Sequence, residues 1–312
     1  MLTINAEDTA TLLAFDDLIP ALREGFIRGA STPNRHHHTL DEATDASLLV
    51  MPSWDEKYLG VKLVDVFPSN TESGRPALSS AFILASSTTG EHLAVIDGNE
   101  LTRRRTVATS ALAASYLARR SSTTHLIVGA GHVGSLAAEA YLSVFDIQTV
   151  LIYDQFAPNA ERLVGNLRQK GIHANTVNNL ASAVAGADII TCATLATEPI
   201  IRGQWLQPGA HLDLIGSFRP NMRESDDQCI IRSNVYVDTP VALEESGDLT
   251  QPIAAGILDA EVNPGTLSQL CRDEVHGRQD NNQITLFKAV GSGLADLTSA
   301  AFVYDAALHP VS

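Results

Sequence analysis

From residue 124 to about residue 240, short apolar runs alternate with amphipathic ones. The apolar runs, at 124–128, 149–153, 174–178, 188–193, 210–215 and 234–238, have the length and branched content of buried strands. Between them, 157–170 and 180–186 carry helical spacing. Apolar strands separated by helices predict a parallel sheet covered on both faces, a doubly wound α/β fold. The texture before residue 119 is different. A helical stretch near 16–29 is followed by strand-like runs at 47–51, 60–67, 80–86 and 92–97, then by a long helix from about Thr102 to Arg119. Strands in succession predict an antiparallel or mixed sheet, and so an α+β unit. The tail from Leu286 to Leu308, rich in Ala, Leu and Phe, reads as one more helix, packed back on that first unit. The expected division is 1–118 plus 290–312 for one domain and 119–289 for the other.

Composition narrows the function classes. The 312 residues are 45% hydrophobic and 18% charged, which fits a folded chain with a large core and excludes wholesale disorder. A formal net charge of −15 argues against nucleic acid, because a phosphate backbone demands a basic face. Cys192, Cys229 and Cys271 lack metal-ligand spacing, so no metal site is expected, and their odd, sparse count fits a reducing compartment. The N-terminal residues lack a basic and a long apolar segment, and no apolar run approaches the ~18 residues of a membrane span. The expectation is a cytoplasmic protein without a membrane partner.

The strongest chemical signal is Gly129-Ala130-Gly131-His132-Val133-Gly134. It follows the strand 124–128 and precedes the helical run Ser135–Leu142, the context in which a G-x-G-x-x-G pattern holds a dinucleotide. The first glycine permits the tight turn, the second admits a pyrophosphate, and the third lets helix pack on strand. Asp154, at the end of the next strand, is placed to bind a ribose 2′-hydroxyl. Ala193 and Thr194 close the 188–193 strand, whose carboxyl end is expected to face the ligand crevice. Ser217, beyond the 210–215 strand, borders the expected nicotinamide site or is an ordinary turn residue; Gly291 joins the candidate cofactor set.

Other polar residues stand out against their surroundings. Lys62 sits within an apolar strand, so it is either at an edge with its ammonium in water or in a pocket where desolvation lowers its pKa. Arg103-Arg104-Arg105 falls in the expected first turn of the long helix, where the dipole favours negative charge; a bound anion or pairing with Glu100 would resolve the conflict. Arg35-His36-His37-His38 reads as an extended segment, a polar pocket rim or plain surface. Asp296, in the first turn of the last helix, is explained by the dipole alone.

Four segments, Leu49–Phe67, Ile96–Thr106, Gly129–Gly134 and Ile284–Leu297, together resemble the ornithine cyclodeaminase / mu-crystallin family, in the same order and across nearly the whole chain. The resemblance implies a Rossmann domain inserted into a substrate and dimerisation domain built from both chain ends, and a homodimer. It also implies a nicotinamide cofactor and activity on amino-acid-derived imines or amino acids. The family's active-site lysine falls on Lys62, which becomes the candidate catalytic residue. One family arginine falls on Arg105 and Arg35 matches another; both would hold a substrate carboxylate, with His36 beside them.

A departure bears on the reaction. Ornithine cyclodeaminases and related alanine dehydrogenases carry an aspartate in the loop after the fifth Rossmann strand, where this chain has Ser217 or Phe218. Without that carboxylate, water activation for deamination lacks its base. The chain is more similar to the branch that reduces Δ1-pyrroline-2-carboxylate or Δ1-piperideine-2-carboxylate to L-proline or L-pipecolate. Asp154 favours NADH, since a carboxylate there repels a 2′-phosphate, with NADPH as the alternative. The competing readings are an ornithine cyclodeaminase, an amino-acid dehydrogenase or a hydroxyproline dehydratase of the same family, and a non-catalytic nicotinamide-nucleotide-binding protein.

Overall fold

Two sheets organise the chain in the computed structural model, which describes residues 1–259 and 261–309, with Thr71 and Glu72 described through their backbone alone. The chain divides into two compact units, Met1–Arg105 with Ser292–Ser312, and Thr106–Gly291.

The first unit holds strands β1 (Leu2–Ile4), β2 (His36–Asp41), β3 (Ala46–Trp54), β4 (Tyr58–Val66), β5 (Leu78–Ser86) and β6 (His92–Asp97), ordered β1-β6-β5-β4-β3-β2. Pairing is antiparallel except between β1 and β6, so the sheet is mixed. Side chains alternate between its faces. Along β4, Tyr58, Gly60, Lys62 and Val64 are buried, while Leu59, Val61 and Leu63 are half-buried. The helix Gly293–Leu308 packs across β3, β4 and β5, and against the helix Phe15–Arg28.

The second unit holds β7 (Thr124–Val128), β8 (Thr149–Tyr153), β9 (Ala174–Thr176), β10 (Ile189–Cys192), β11 (His211–Leu214), β12 (Ser233–Val237), β13 (Gly265–Thr266) and β14 (Ile284–Lys288). All pair in parallel, in the order β13-β12-β14-β11-β10-β7-β8-β9. From β7 the chain first builds outward through β8 and β9, then crosses to β10 on the other side. That reversal makes the carboxyl ends of β7 and β10 the topological switch point, where a parallel sheet opens a crevice. The doubly wound sheet and its mixed companion are the architecture the residue pattern predicts.

Three local expectations are corrected. The tail is not helical from Leu286: Ile284–Lys288 is a central strand between β11 and β12, and only Gly293–Leu308 is helical. Branched and aromatic side chains favour the extended chain there, and all five residues are buried. The long helix begins at Gly98, ahead of the expected Thr102, because Asp97 Oδ1 accepts from Glu100 N at 2.8 Å and caps it. This moves the three arginines out of the first turn. After the glycine fingerprint, residues Gly134–Leu136 form a 3₁₀ turn and the α-helix covers only Ala137–Leu142.

Candidate active site

Lys62 lies on the interior strand β4, opposite Met51 of β3 and Phe82 of β5, so the edge reading is excluded. Its side chain is 3% exposed, and Nζ stands 2.6 Å from Asp296 Oδ2. Asp296 is in the first turn of the helix that covers this face of the sheet, and its other oxygen accepts from Arg105 Nε at 2.8 Å. One carboxylate thus bridges two cations, all three buried in the first unit. Burial pulls the Lys62 ammonium down to about 8, aided by the Arg105 and Arg35 charges and opposed by Asp296. Burial alone would raise the Asp296 carboxyl; Arg105 and Lys62 outweigh it and hold it below its ordinary range.

The arginine triplet divides by helical rotation. Successive residues point ~100° apart, and Arg103 and Arg104 pair with Glu100 at 3.0 and 2.7 Å while Arg105 turns inward to Asp296. The pairing with Glu100 holds for Arg103 and Arg104, while the acid that Arg105 meets is the protein's own Asp296. Arg35 is half-buried and close enough to Lys62 for its charge to depress the ammonium. His36 begins the edge strand β2, where every residue is exposed; its ring stacks with that of His38, centroids 6.5 Å apart.

In the second unit, the fingerprint has the shape a dinucleotide requires. Gly129 adopts φ +99°, and a Cβ on it would stand 2.5 Å from Ala193 O. A Cβ on Gly134 would stand 1.9 Å from Gly129 O, whereas one on Gly131 would meet no atom within 4 Å. The first and third glycines are therefore filled by protein, and the second faces open space where a pyrophosphate can approach. His132 is exposed and Val133 half-buried beside it. A cavity of about 290 Å³ adjoins the loop, lined among others by Gly129, Gly131, Asp154, Ala193, Thr194 and Ile200. Asp154 is oriented by two main-chain donors, Ala130 N at 2.8 Å and Phe156 N at 2.9 Å. The residues fit a dinucleotide, and Asp154 lines the same cavity as Gly129 and Gly131.

Two further candidates are arranged differently. Ser217 is buried, its hydroxyl 2.7 Å from Met222 O and 2.9 Å from Ser246 Oγ, so the side chain is spent internally; the neighbouring Phe218 is exposed. Gly291 takes φ +85°, and its N–H donates to Asp238 Oδ2 at 2.7 Å. A larger groove of about 920 Å³ in the first unit, bordered by Trp54, Tyr58 and Phe302, contains none of the candidate residues; chemistry rather than volume locates the site.

Sequence reasoning missed Asp296 as part of the site. A helix-initiating aspartate and an ion-pairing one look alike in sequence. The available signal was an acidic residue in the first turn of a largely apolar helix expected to pack on the unit that carries Lys62.

An uncharacterized protein of Schizosaccharomyces pombe is 43% identical to this chain, covering 96% of each. A Δ1-pyrroline-2-carboxylate reductase of Colwellia psychrerythraea is 35% identical, covering 98% of this chain and 99% of its own. The solved structure of Thermococcus litoralis Δ1-pyrroline-2-carboxylate reductase in complex with NADH and L-proline superposes with a TM-score of 0.94 at 32% identity, covering 100% of this chain and 99% of that one. The family model for ornithine cyclodeaminase/mu-crystallin proteins matches residues 2–310, and the chain belongs to that family.

Proposed function

We propose that this protein is an NADH-dependent reductase of a cyclic imino acid, Δ1-pyrroline-2-carboxylate or its six-membered homologue, yielding L-proline or L-pipecolate. The observation that carries this reading is the buried Lys62–Asp296–Arg105 constellation, in a chain that resembles reductases of that substrate over its full length. Arg105 and Arg35 would hold the substrate carboxylate, a task suited to the planar guanidinium. Lys62, with its ammonium drawn down to about 8, would give a proton to the ring nitrogen, because a group whose pKa lies near the working pH transfers protons well. Asp296 stays ionised and orients both cations. NADH, once bound, supplies the hydride for C2 of the imine. The protein's part is to supply the proton and make the carbon electrophilic.

The nucleotide would be held by Gly129, Gly131, His132, Val133 and Gly134, with Asp154 on the ribose and Ala193, Thr194 and Gly291 along the crevice; Ser217, buried and bonded internally, would support the loop from behind. Asp154, followed by Gln155 and Phe156, supports NADH over NADPH. His36 would extend the polar rim beside Arg35. The first unit would serve substrate binding and dimerisation, and the second would bind nucleotide. A homodimer is supported by the outward face of the first sheet, where Leu59, Val61, Leu63, Ile83 and Val95 are only half-buried and form an apolar surface of the kind protein interfaces cover. Among the described residues no helix is long and apolar enough to cross a membrane. Three free, buried cysteines support a cytoplasmic setting.

The test is a substrate panel, with both cyclic imines, ornithine, alanine and the hydroxyprolines, run with each nicotinamide cofactor. Loss of reduced-nicotinamide absorbance that depends on an imine supports reduction. Nucleotide binding without turnover of any substrate would instead identify a binding protein.

A further inference from the structure

Three strands of the second unit end at one buried cluster of charge. Lys288, the last residue of β14, is fully buried, with Nζ 3.5 Å from Asp248 Oδ2 and 4.0 Å from Glu224 Oε2. Glu224 Oε1 accepts from Thr194 N at 2.7 Å and from Thr194 Oγ1 at 2.8 Å. Its Oε2 accepts from Gly216 N at 2.7 Å and Ser217 N at 3.3 Å. Thr194 follows β10 and Gly216 follows β11, so a single carboxylate ties together two strand ends beside the switch point. Asp248 Oδ1 accepts from Glu224 N and Ser225 N, both at 2.9 Å, and so fixes the main chain that carries Glu224.

The packing leaves no slack. A Cβ on Gly216 would stand 2.0 Å from Thr194 O and 2.4 Å from Glu224 Oε1. Thr194 in turn abuts the fingerprint, since a Cβ on Gly129 would stand 3.0 Å from Thr194 Cγ2. Two buried carboxylates around one ammonium are costly to desolvate, and burial raises the Glu224 carboxyl to about 7 even with Lys288 opposing it. A buried charge cluster adds little stability over an apolar core of the same volume. Its consequence here is geometric.

We propose that Glu224 is a positioning residue for the reduction: its carboxylate sets the spacing of the Thr194 and Gly216–Ser217 loops before the nucleotide arrives. The crevice then receives the nicotinamide nucleotide already formed, without ordering two loops at the moment of binding. This rests on the nucleotide-binding reading of the unit.

Glu224→Gln keeps the size of the side chain but turns one acceptor into a donor facing donors. The expected result is an NADH dissociation constant raised by about tenfold or more, with the imine KM at saturating NADH changed by less than about twofold, given the usual strength of hydrogen bonds to a charged group. Bound-nucleotide fluorescence reads the first quantity and turnover reads the second. A folded variant with unchanged NADH affinity overturns the proposal. Amide hydrogen exchange on the parent protein provides a second arm that decides the matter even if the variant does not fold. The Thr194 and Gly216 amides should be protected without nucleotide; if they exchange freely until NADH is added, Glu224 does not preform the crevice and the proposal fails. A parent protein that binds no NADH at all is a different outcome, because it refutes the nucleotide reading itself.

Discussion

Lys62 and Asp296 lie near opposite ends of the chain, yet Nζ and Oδ2 stand 2.6 Å apart in a site that solvent barely reaches. The strand supplies the cation, the helix laid across it supplies the anion, and Arg105 takes the second oxygen at 2.8 Å. A lone ammonium in such a place would lose its proton; the aspartate keeps it ionisable near neutral pH. From this relationship follow the expectations about chemistry.

Lys62→Ala should lower turnover of the cyclic imine by about 10²-fold or more, the usual contribution of a positioned proton donor. Nucleotide affinity should be unchanged, measured by fluorescence titration. In the parent protein, turnover should fall as pH rises through about 8, because the ammonium that donates the proton is lost. The linkage sign is opposite for stability. The unfolded lysine keeps its proton up to about its ordinary pKa of 10.5, so between pH 8 and 10.5 the unfolded state binds more protons and this group makes stability rise with pH. Retention of full turnover by Lys62→Ala would refute the assigned role.

Asp296→Asn leaves two buried cations without their anion. Breaking a buried pair in this way costs about 3–5 kcal/mol, visible as a lower Tm. In the parent protein the carboxyl is held below its ordinary range, so its contribution to stability is present above the unfolded carboxylate pKa and is lost as pH falls through the folded value. Thermal melts of parent and variant should therefore converge in strong acid. A variant as stable as the parent at neutral pH would show that the bridge carries no weight.

Asp154→Ser removes the carboxylate proposed to hold the ribose and also frees Ala130 N and Phe156 N. NADH affinity should fall by about tenfold, and the ratio of NADPH to NADH use should rise, because the repulsion of a 2′-phosphate is gone. Comparing kcat/KM for the two cofactors checks this. An unchanged ratio would place cofactor choice elsewhere.

Val61→Glu puts a charge in the middle of the half-buried outward face of the first sheet, between Pro52 of β3 and Ile83 of β5. If that face is the dimer interface, the variant should sediment as a monomer while the parent sediments as a dimer, since an unpaired charge at an interface core is costly. Identical sedimentation of the two would reject this surface.

The legible part of the fold was the part written in short-range pattern. Six parallel strands of the second unit, β7 to β12, were readable because most are short apolar runs with turn residues around them, whereas the two-residue Gly265–Thr266 strand carries no such pattern. The fingerprint was readable because Gly129, Gly131 and Gly134 answer to backbone geometry within six residues. Where local pattern was ambiguous, the reading slipped. Ile284–Lys288 is apolar enough for strand or helix, and only its place between β11 and β12 made it a strand.

The sequence by itself determined a dinucleotide fold with a separate sheet unit, and it pointed to Lys62 and to the arginine triplet as residues out of keeping with their surroundings. Only the tertiary structure decided which arginine turns inward, that Lys62 is interior, and that Asp296 and Glu224 each hold groups from distant segments. The physical reason is the same in each case. An ion pair or a shared carboxylate depends on where strands and helices cross, and spacing along the chain carries no record of that crossing.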